Sequence, residues 1–107
     1  MYMILHLLEE KYLDVVMMAL VEAGIENTLV LSGENLSDKL TMDMPIFAGF
    51  QKSLRGHGFS KLIMGLASKA QIDFALEELH TAGVDLIGRS LAEIALVPVD
   101  HLYRGDD

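Results

Sequence analysis

A short basic stretch near the middle of the chain carries the residues best suited to binding an anion. Lys52 and Arg55 precede His57, which lies between two glycines, and no acidic residue falls between positions 51 and 61. Guanidinium and ammonium groups donate charge-assisted hydrogen bonds to phosphate or carboxylate oxygens, and glycine amides let an anion approach closely. The stretch therefore predicts a loop that contacts an anionic ligand or an acidic partner surface. Ordinary solvated charges on a connecting segment are the alternative.

Residues that could support catalysis or metal binding are present, but they form no recognised arrangement. The chain has neither common type of phosphate-binding glycine loop and no nucleophile elbow. His6 lies among apolar residues, which favours a structural or interface histidine over a proton donor. The histidines lack the i, i+4 spacing of a helical metal site; they are His6, His57, His80 and His101. We therefore predict that the protein is not an enzyme, and we assign no catalytic residue and no metal site.

Length, charge and composition limit the class of protein further. The chain of 107 residues fits a single domain, residues 1–107. Eight basic and sixteen acidic residues give a formal net charge of -8, which argues against binding along a nucleic-acid backbone. There is no cysteine, and no basic start is followed by a long apolar stretch, so we expect a cytoplasmic protein. A hydrophobic fraction of 51% is high for a small monomer and predicts an oligomer.

The chain repeats itself without a gap when it is shifted by 59 residues. Residues 3–25 align with residues 62–84, and the apolar positions coincide in both the strand part and the helix part. Each helix should end at an Ala-Gly pair, because glycine adopts the left-handed conformation there without a steric penalty. Ser68 followed by Gln71 predicts a capping box at the start of the second helix. The repeat therefore predicts two β-α units whose core positions correspond.

One further strand after each helix gives the order β-α-β-β-α-β. The predicted strands are residues 27–31 and 93–99, with Pro98 tolerable only near a sheet edge. This order is that of the ferredoxin-like α+β fold, a four-stranded antiparallel sheet with both helices on one face. The strands are apolar on both faces, whereas a half-exposed sheet should alternate. We expect other subunits to cover the open face; a third helix within segment 44–55 of the same chain is the alternative.

The connection between the second and third strands, residues 33–60, is longer than usual, and such excess length is commonly functional. It begins with a polar, turn-rich part and continues from Pro45 with apolar residues at helical spacing. Met42 and Met44 could supply soft ligands to a copper ion, or they could pack against the apolar residues that follow. The segment is therefore a candidate for the functional part of the domain.

The last third of the chain carries four linked motifs. They are His80-Thr-Ala-Gly83, Gly88-Arg89, Ile94-Ala-Leu-Val-Pro-Val-Asp100 and Tyr103-Arg104-Gly105-Asp106. This succession resembles the closing part of the PII signalling proteins, where a His-Thr-Gly-like turn precedes a glycine-rich loop, a strand ending in Pro-Val-Glu and an arginine-bearing tail. The order of the preceding elements, with a long loop before the third strand, is similar as well. The resemblance implies ferredoxin-like trimers whose sheets face one another.

The resemblance also implies a function and a set of site residues. PII-like proteins bind adenine nucleotides in clefts between the subunits of a homotrimer, and their long loop controls a partner, a membrane transporter or an enzyme. ATP, ADP or AMP is therefore the implied effector. The matching ligand-binding residues are Thr28, Gly33, Gly88, Arg89 and Arg104, and the partner-contacting residues are Lys52, Arg55 and His57. The Gly-Asp-Gly-Lys type of loop in that family is replaced here by Ile87-Gly88-Arg89-Ser90.

Three classes of function fit these features. The first is a PII-like regulatory sensor that binds a small anionic effector between subunits and regulates a partner through loop 33–60. The second is a divalent-metal-binding trimer similar to the CutA-like proteins, which share this architecture. The third is a non-enzymatic assembly subunit whose open sheet docks on a larger protein. A fold alone does not choose among them, and the sensor is our leading hypothesis.

Overall fold

The computed structural model describes residues 1–34, 36 and 59–105. These residues form four strands and two helices. The elements in chain order are β1 (Tyr2–Leu7), a 3-10 turn (Glu10–Tyr12), α1 (Leu13–Glu22), β2 (Leu29–Glu34), β3 (Phe59–Leu66), α2 (Lys69–Thr81) and β4 (Ala92–Val97). The strands form one sheet in the order β2-β3-β1-β4, and all neighbours are antiparallel. The predicted ferredoxin-like α+β fold is therefore confirmed.

The ends of the helices follow the local sequence signals. At the start of α2, the Ser68 hydroxyl accepts a hydrogen bond from the Gln71 amide at 3.1 Å, and the Gln71 side chain accepts one from the Ser68 amide at 2.9 Å. Gly24 and Gly83 follow the two helices with φ of +83° and +88°, in the left-handed region. The predicted capping box and both predicted glycine ends are confirmed.

The strand boundaries differ by a few residues from the prediction. Strand β2 begins two residues later than predicted because Asn27 adopts a left-handed turn conformation with φ of +57°. Gly33, expected to begin the long loop, lies inside β2 and pairs with Ser60 of β3. The connection between these strands is therefore residues 35–58. Strand β4 ends immediately before Pro98, which suits an edge strand. The predicted helix in segment 44–55 lies outside the described residues.

The two faces of the sheet differ in what covers them. One face, the covered face, packs against both helices and contains the buried residues Met3, Leu5, Leu7 and Ile63. The helix residues that complete this core are Val16, Ala19 and Leu20 of α1 and Ile72, Ala75 and Leu79 of α2. Neither helix lies on the other face, the open face. Strand pairing places there Tyr2, Ile4, His6, Leu29, Leu31, Leu62, Met64, Leu66, Glu93, Ala95 and Val97.

The structure corrects the strand part of the internal repeat. In the helix part, a shift of 59 residues relates buried positions as predicted, for example Leu20 and Leu79. In the strand part, the same shift relates Leu5 on the covered face to Met64 on the open face. Even-numbered residues of β1 pair with even-numbered residues of β3, and odd with odd, so a shift by an odd number of residues exchanges the faces. The prediction that core positions agree throughout was therefore wrong for the strands, because both faces are apolar and the sequence pattern conceals the exchange.

Candidate functional site

Strand pairing divides the candidate site residues between two ends of the sheet. At one end, the tail end, Tyr2 pairs with Leu66 and Val97, and the C-terminal tail follows β4. At the other, the loop end, Leu7 pairs with Ala92 of β4, and β2 and β3 open into segment 35–58. The six residues of β1 separate these ends by roughly 17 Å, at about 3.4 Å per residue.

The tail end contains a cavity of about 580 Å³, a volume within the usual range for small-molecule sites. Arg104, a predicted ligand-binding residue, lines it together with Glu26 and Asn27. The remaining lining residues are Met1, Tyr2, Gly24, Gly65, Leu66, Ala67, Ser68, Gln71 and Leu102. The cavity thus combines a guanidinium that can bind an anion with an apolar wall and several hydrogen-bonding side chains.

Thr28 is adjacent to this cavity and is not part of its lining. It is half-buried against Gly65, where an added Cβ would lie 3.2 Å from Thr28 Cγ2 and 3.4 Å from Thr28 Cα. Gly65 therefore allows the start of β2 to approach β3 closely. This contact brings Thr28 and Arg104, two of the predicted ligand-binding residues, to the same end of the sheet.

The start of α2 and the end of α1 meet at the same cavity. The Gln71 side chain donates a hydrogen bond to the Gly24 carbonyl at 3.2 Å while it also caps α2. The positive end of the α2 dipole therefore lies beside the cavity, where it adds to the field of Arg104. Both features favour an anion at this end, whereas the Glu26 carboxylate in the same lining opposes one.

The loop end contains Gly88 and Arg89 in a tight turn between α2 and β4. The Gly88 amide donates a hydrogen bond to the Asp85 side chain at 3.1 Å, and the Arg89 amide donates one to the Asp85 carbonyl at 3.1 Å. The Leu91 amide completes the turn with a hydrogen bond to the Leu86 carbonyl at 2.9 Å. A Cβ at Gly88 would collide with the Asp85 carboxylate, so a side chain at this position would displace that carboxylate from its hydrogen bond. Asp85 accepts the hydrogen bond of the Gly88 amide, so the group of this turn that could bind an anion is the exposed Arg89 side chain.

Lys61, the cation that follows the basic stretch in the sequence, already has hydrogen-bond and ion-pair partners. Lys61 lies in β3, donates a hydrogen bond to Ser32 at 2.6 Å and forms a salt bridge with Glu10 at 3.5 Å. Its role is to join β2, β3 and the 3-10 turn. The predicted partner-contacting residues Lys52, Arg55 and His57 lie outside the described residues, as do Met42 and Met44.

His6 is hydrogen bonded, as expected for a structural or interface histidine. Its Nε2 lies 3.0 Å from the Ser60 hydroxyl, and Glu93 lies directly opposite on β4. These three polar residues share the open face with apolar neighbours. The group was missed in the sequence because its members come from three strands whose register no local pattern defines.

The sequence also failed to identify Glu26 and Asn27 as cavity residues. The only signal was an Asn three residues after Gly24, a residue type that tolerates the left-handed conformation but predicts no ligand contact. Within residues 1–34 and 59–105, no group of three or more His, Cys, Asp or Glu side chains could hold a metal ion. No helix in these ranges is long and apolar enough to cross a membrane. No protein-family model matches the chain, and no curated protein matches it.

Proposed function

We propose that the protein is a PII-like, non-enzymatic regulator that binds a small anionic effector between subunits of a homotrimer. The first candidate effectors are ATP, ADP and AMP, and the regulated partner would contact loop 33–60. The observation that carries this proposal is the division of the candidate residues between the tail end and the loop end. Thr28 and Arg104 lie at the first, and Gly33, Gly88 and Arg89 at the second.

The division favours a site between subunits because one subunit cannot bring its own Arg89 and Arg104 to the same phosphate group. The two arginines lie at opposite ends of strands that span roughly 17 Å. If the tail end of one subunit meets the loop end of a neighbour, both guanidinium groups can grip the same anionic ligand. The cavity lined by Arg104 would then receive the part of the effector distal from Arg89.

The open face supports the trimer. It presents apolar side chains from all four strands, with Leu29, Leu31 and Val97 exposed at its edges. Contiguous apolar surface of this kind marks an interaction site in soluble proteins. Three copies packed with their sheets facing one another would remove it from water. An assembly subunit that docks this face on a larger protein is the competing explanation.

Regulation through the loop requires that the effector bind two loop states with different affinity. Gly33 and Ser60 form the second-last pair of the β2–β3 ladder, one residue away from segment 35–58 on each strand. An effector that contacts Gly33 and the neighbouring subunit's cavity would therefore favour one arrangement of the segment over another. The cations Lys52 and Arg55 would present a basic surface to an acidic region of the partner. We place this regulator in the cytoplasm.

The first test is a thermal-shift panel of ATP, ADP, AMP, cyclic dinucleotides, bicarbonate and divalent ions. A ligand at 100 times its dissociation constant stabilises the folded state by about 2.7 kcal/mol, which gives a clear shift in melting temperature. We expect one anionic ligand to raise the melting temperature and Arg89→Ala and Arg104→Ala to abolish that rise. Lys11→Ala removes an exposed cation from the 3-10 turn and should respond like the parent. A response to divalent ions alone would support the CutA-like function instead.

A complementation test addresses the site between subunits directly. The Arg89→Ala chain retains Arg104 at its tail end, and the Arg104→Ala chain retains Arg89 at its loop end. When the two chains are coexpressed and assemble at random, about a quarter of the interfaces join these two intact ends. Ligand binding should therefore reappear in the mixture although neither variant binds alone. If the mixture stays silent while the parent binds, the site lies within one subunit. A silent panel with the parent protein would overturn the effector proposal itself.

A further inference from the structure

A second concave surface lies beside α2. It is a groove of about 410 Å³ between the C-terminal half of α2 and the turn that follows. Leu86 is buried at its base, Leu76 and Val84 are half-buried, and Ile87 is half-exposed on its rim. The remaining lining residues are Glu77, His80 and Asp85. The groove shares no lining residue with the cavity at the tail end.

The charge of the groove is negative. Glu77 and Asp85 are exposed, and neither forms an ion pair with a residue that the structure describes. The Asp85 carboxylate accepts one hydrogen bond from the Gly88 amide, which leaves lone pairs available to a further donor. The last turn of α2 also contributes the negative end of the helix dipole. An apolar base with an acidic rim is complementary to an apolar side chain flanked by cations.

We propose that this groove docks a short segment of a partner protein that carries one or two aliphatic residues next to Lys or Arg. The aliphatic side chain would lie on Leu76, Val84 and Ile87, and the cation would reach Glu77 or Asp85. The proposal commits to a basic, apolar peptide on the grounds of charge complementarity. The argument for the groove rests on neither the effector proposal nor the trimer.

The position of the groove gives docking a second consequence. Its rim residues Asp85 and Ile87 belong to the same turn as Arg89, and the Asp85–Gly88 hydrogen bond holds that turn in shape. A docked cation that pairs with Asp85 acts on the carboxylate that fixes the Gly88 amide. Docking would therefore change the geometry of the turn that carries Arg89. By thermodynamic linkage, a ligand bound at Arg89 would change the affinity for the docked segment by the same factor as docking changes the affinity for that ligand.

The test uses a synthetic peptide, Gly-Ser-Lys-Leu-Leu-Arg-Ser-Gly, titrated into the isotope-labelled full chain and followed by amide chemical shifts. We expect the largest shifts at residues 76–87 and a binding isotherm that weakens with salt, since surface charges are screened. Ile87→Ser should weaken binding roughly fivefold, because half of an isoleucine side chain loses its burial. Glu77→Gln should weaken it roughly twofold.

Matched controls separate docking from general charge attraction. Val21→Ser and Glu78→Gln change an exposed apolar residue of α1 and an exposed acid of α2 outside the groove, and both should bind like the parent. A peptide with Glu in place of Lys and Arg should not bind. The proposal is overturned if the shifts map elsewhere, if the acidic peptide binds equally well, or if Ile87→Ser and Glu77→Gln bind like the parent while their spectra show a native fold.

Discussion

The two faces of the sheet are equally apolar in sequence but differently covered in the structure. On the covered face, Met3, Leu5 and Ile63 are at most 1% exposed beneath the helices. On the open face, Leu29, Leu31 and Val97 are 55%, 44% and 43% exposed. A hydrophobic sequence pattern therefore indicates which surface should be buried. It does not report whether the same chain or another one covers it.

The difference also separates two sources of stability. Burial on the covered face stabilises each chain by itself, whereas burial of the open face by other copies, as we propose, would depend on protein concentration. Equivalent substitutions on the two faces should therefore have different effects on unfolding and on association.

The largest effect is expected for Leu5→Ala on the covered face. The substitution leaves a cavity among Met3, Leu7 and the helix residues, so the free energy of unfolding should fall by about 3 kcal/mol. Chemical denaturation followed by circular dichroism measures the loss. Leu31→Ala is the matched change on the open face, and at low protein concentration it should cost about 1 kcal/mol or less. Equal costs for the two variants would contradict the distinction between the faces.

The next effect is on association. Leu31→Asp places a carboxylate at the edge of the open face, and burying it against another copy without a partner is unfavourable. The dissociation constant of the oligomer should rise more than tenfold by sedimentation velocity, while the unfolding of the separated chain changes little. Val21→Asp, the same change at an exposed position on α1, should leave association unchanged.

A monomeric parent protein at all concentrations would contradict this prediction and the trimer together. Segment 44–55 of the same chain would then become the leading candidate for covering the open face. Loss of association in both aspartate variants would instead indicate an interface that includes α1.

Local signals explain why much of the fold could be predicted. The Ser68–Gln71 capping box and the glycines that end both helices depend on neighbours within a few residues, so the sequence contains all the information they need. The β-α-β-β-α-β order followed from these boundaries. Arg104 was identified by resemblance, and its place at a cavity of suitable size is consistent with that assignment.

Features that depend on pairing between distant strands could not be predicted. The face that Met64 occupies depends on its pairing with Ile4. A run of apolar residues fits a pairing shifted by one residue equally well, and that shift would move Met64 to the other face. Distant packing also hid the cavity residue Asn27, whereas the Asp85 carboxylate accepts the hydrogen bond of the Gly88 amide within a local turn. Both contacts result from tertiary packing or from a turn whose geometry the residue types alone do not define.

The smallest effect is expected at the polar group of the open face. Ser60 is only 6% exposed, and Ser60→Ala removes the hydroxyl that lies 3.0 Å from His6 Nε2. An imidazole nitrogen left without its partner on an apolar surface should cost about 1 kcal/mol in unfolding free energy. Ser32→Ala is the matched control, since Ser32 is exposed and water can replace it as the acceptor for Lys61.

The destabilisation caused by Ser60→Ala, measured at several protein concentrations, tests whether other copies cover the open face. If other copies cover the open face, water cannot reach His6 in the oligomer, and part of the cost should appear as weaker association. If the face stays in water, the cost should be the same at every protein concentration. Sedimentation of Ser60→Ala beside Ser32→Ala decides between these outcomes, because only a buried His6 makes the loss of one hydroxyl visible in the assembly.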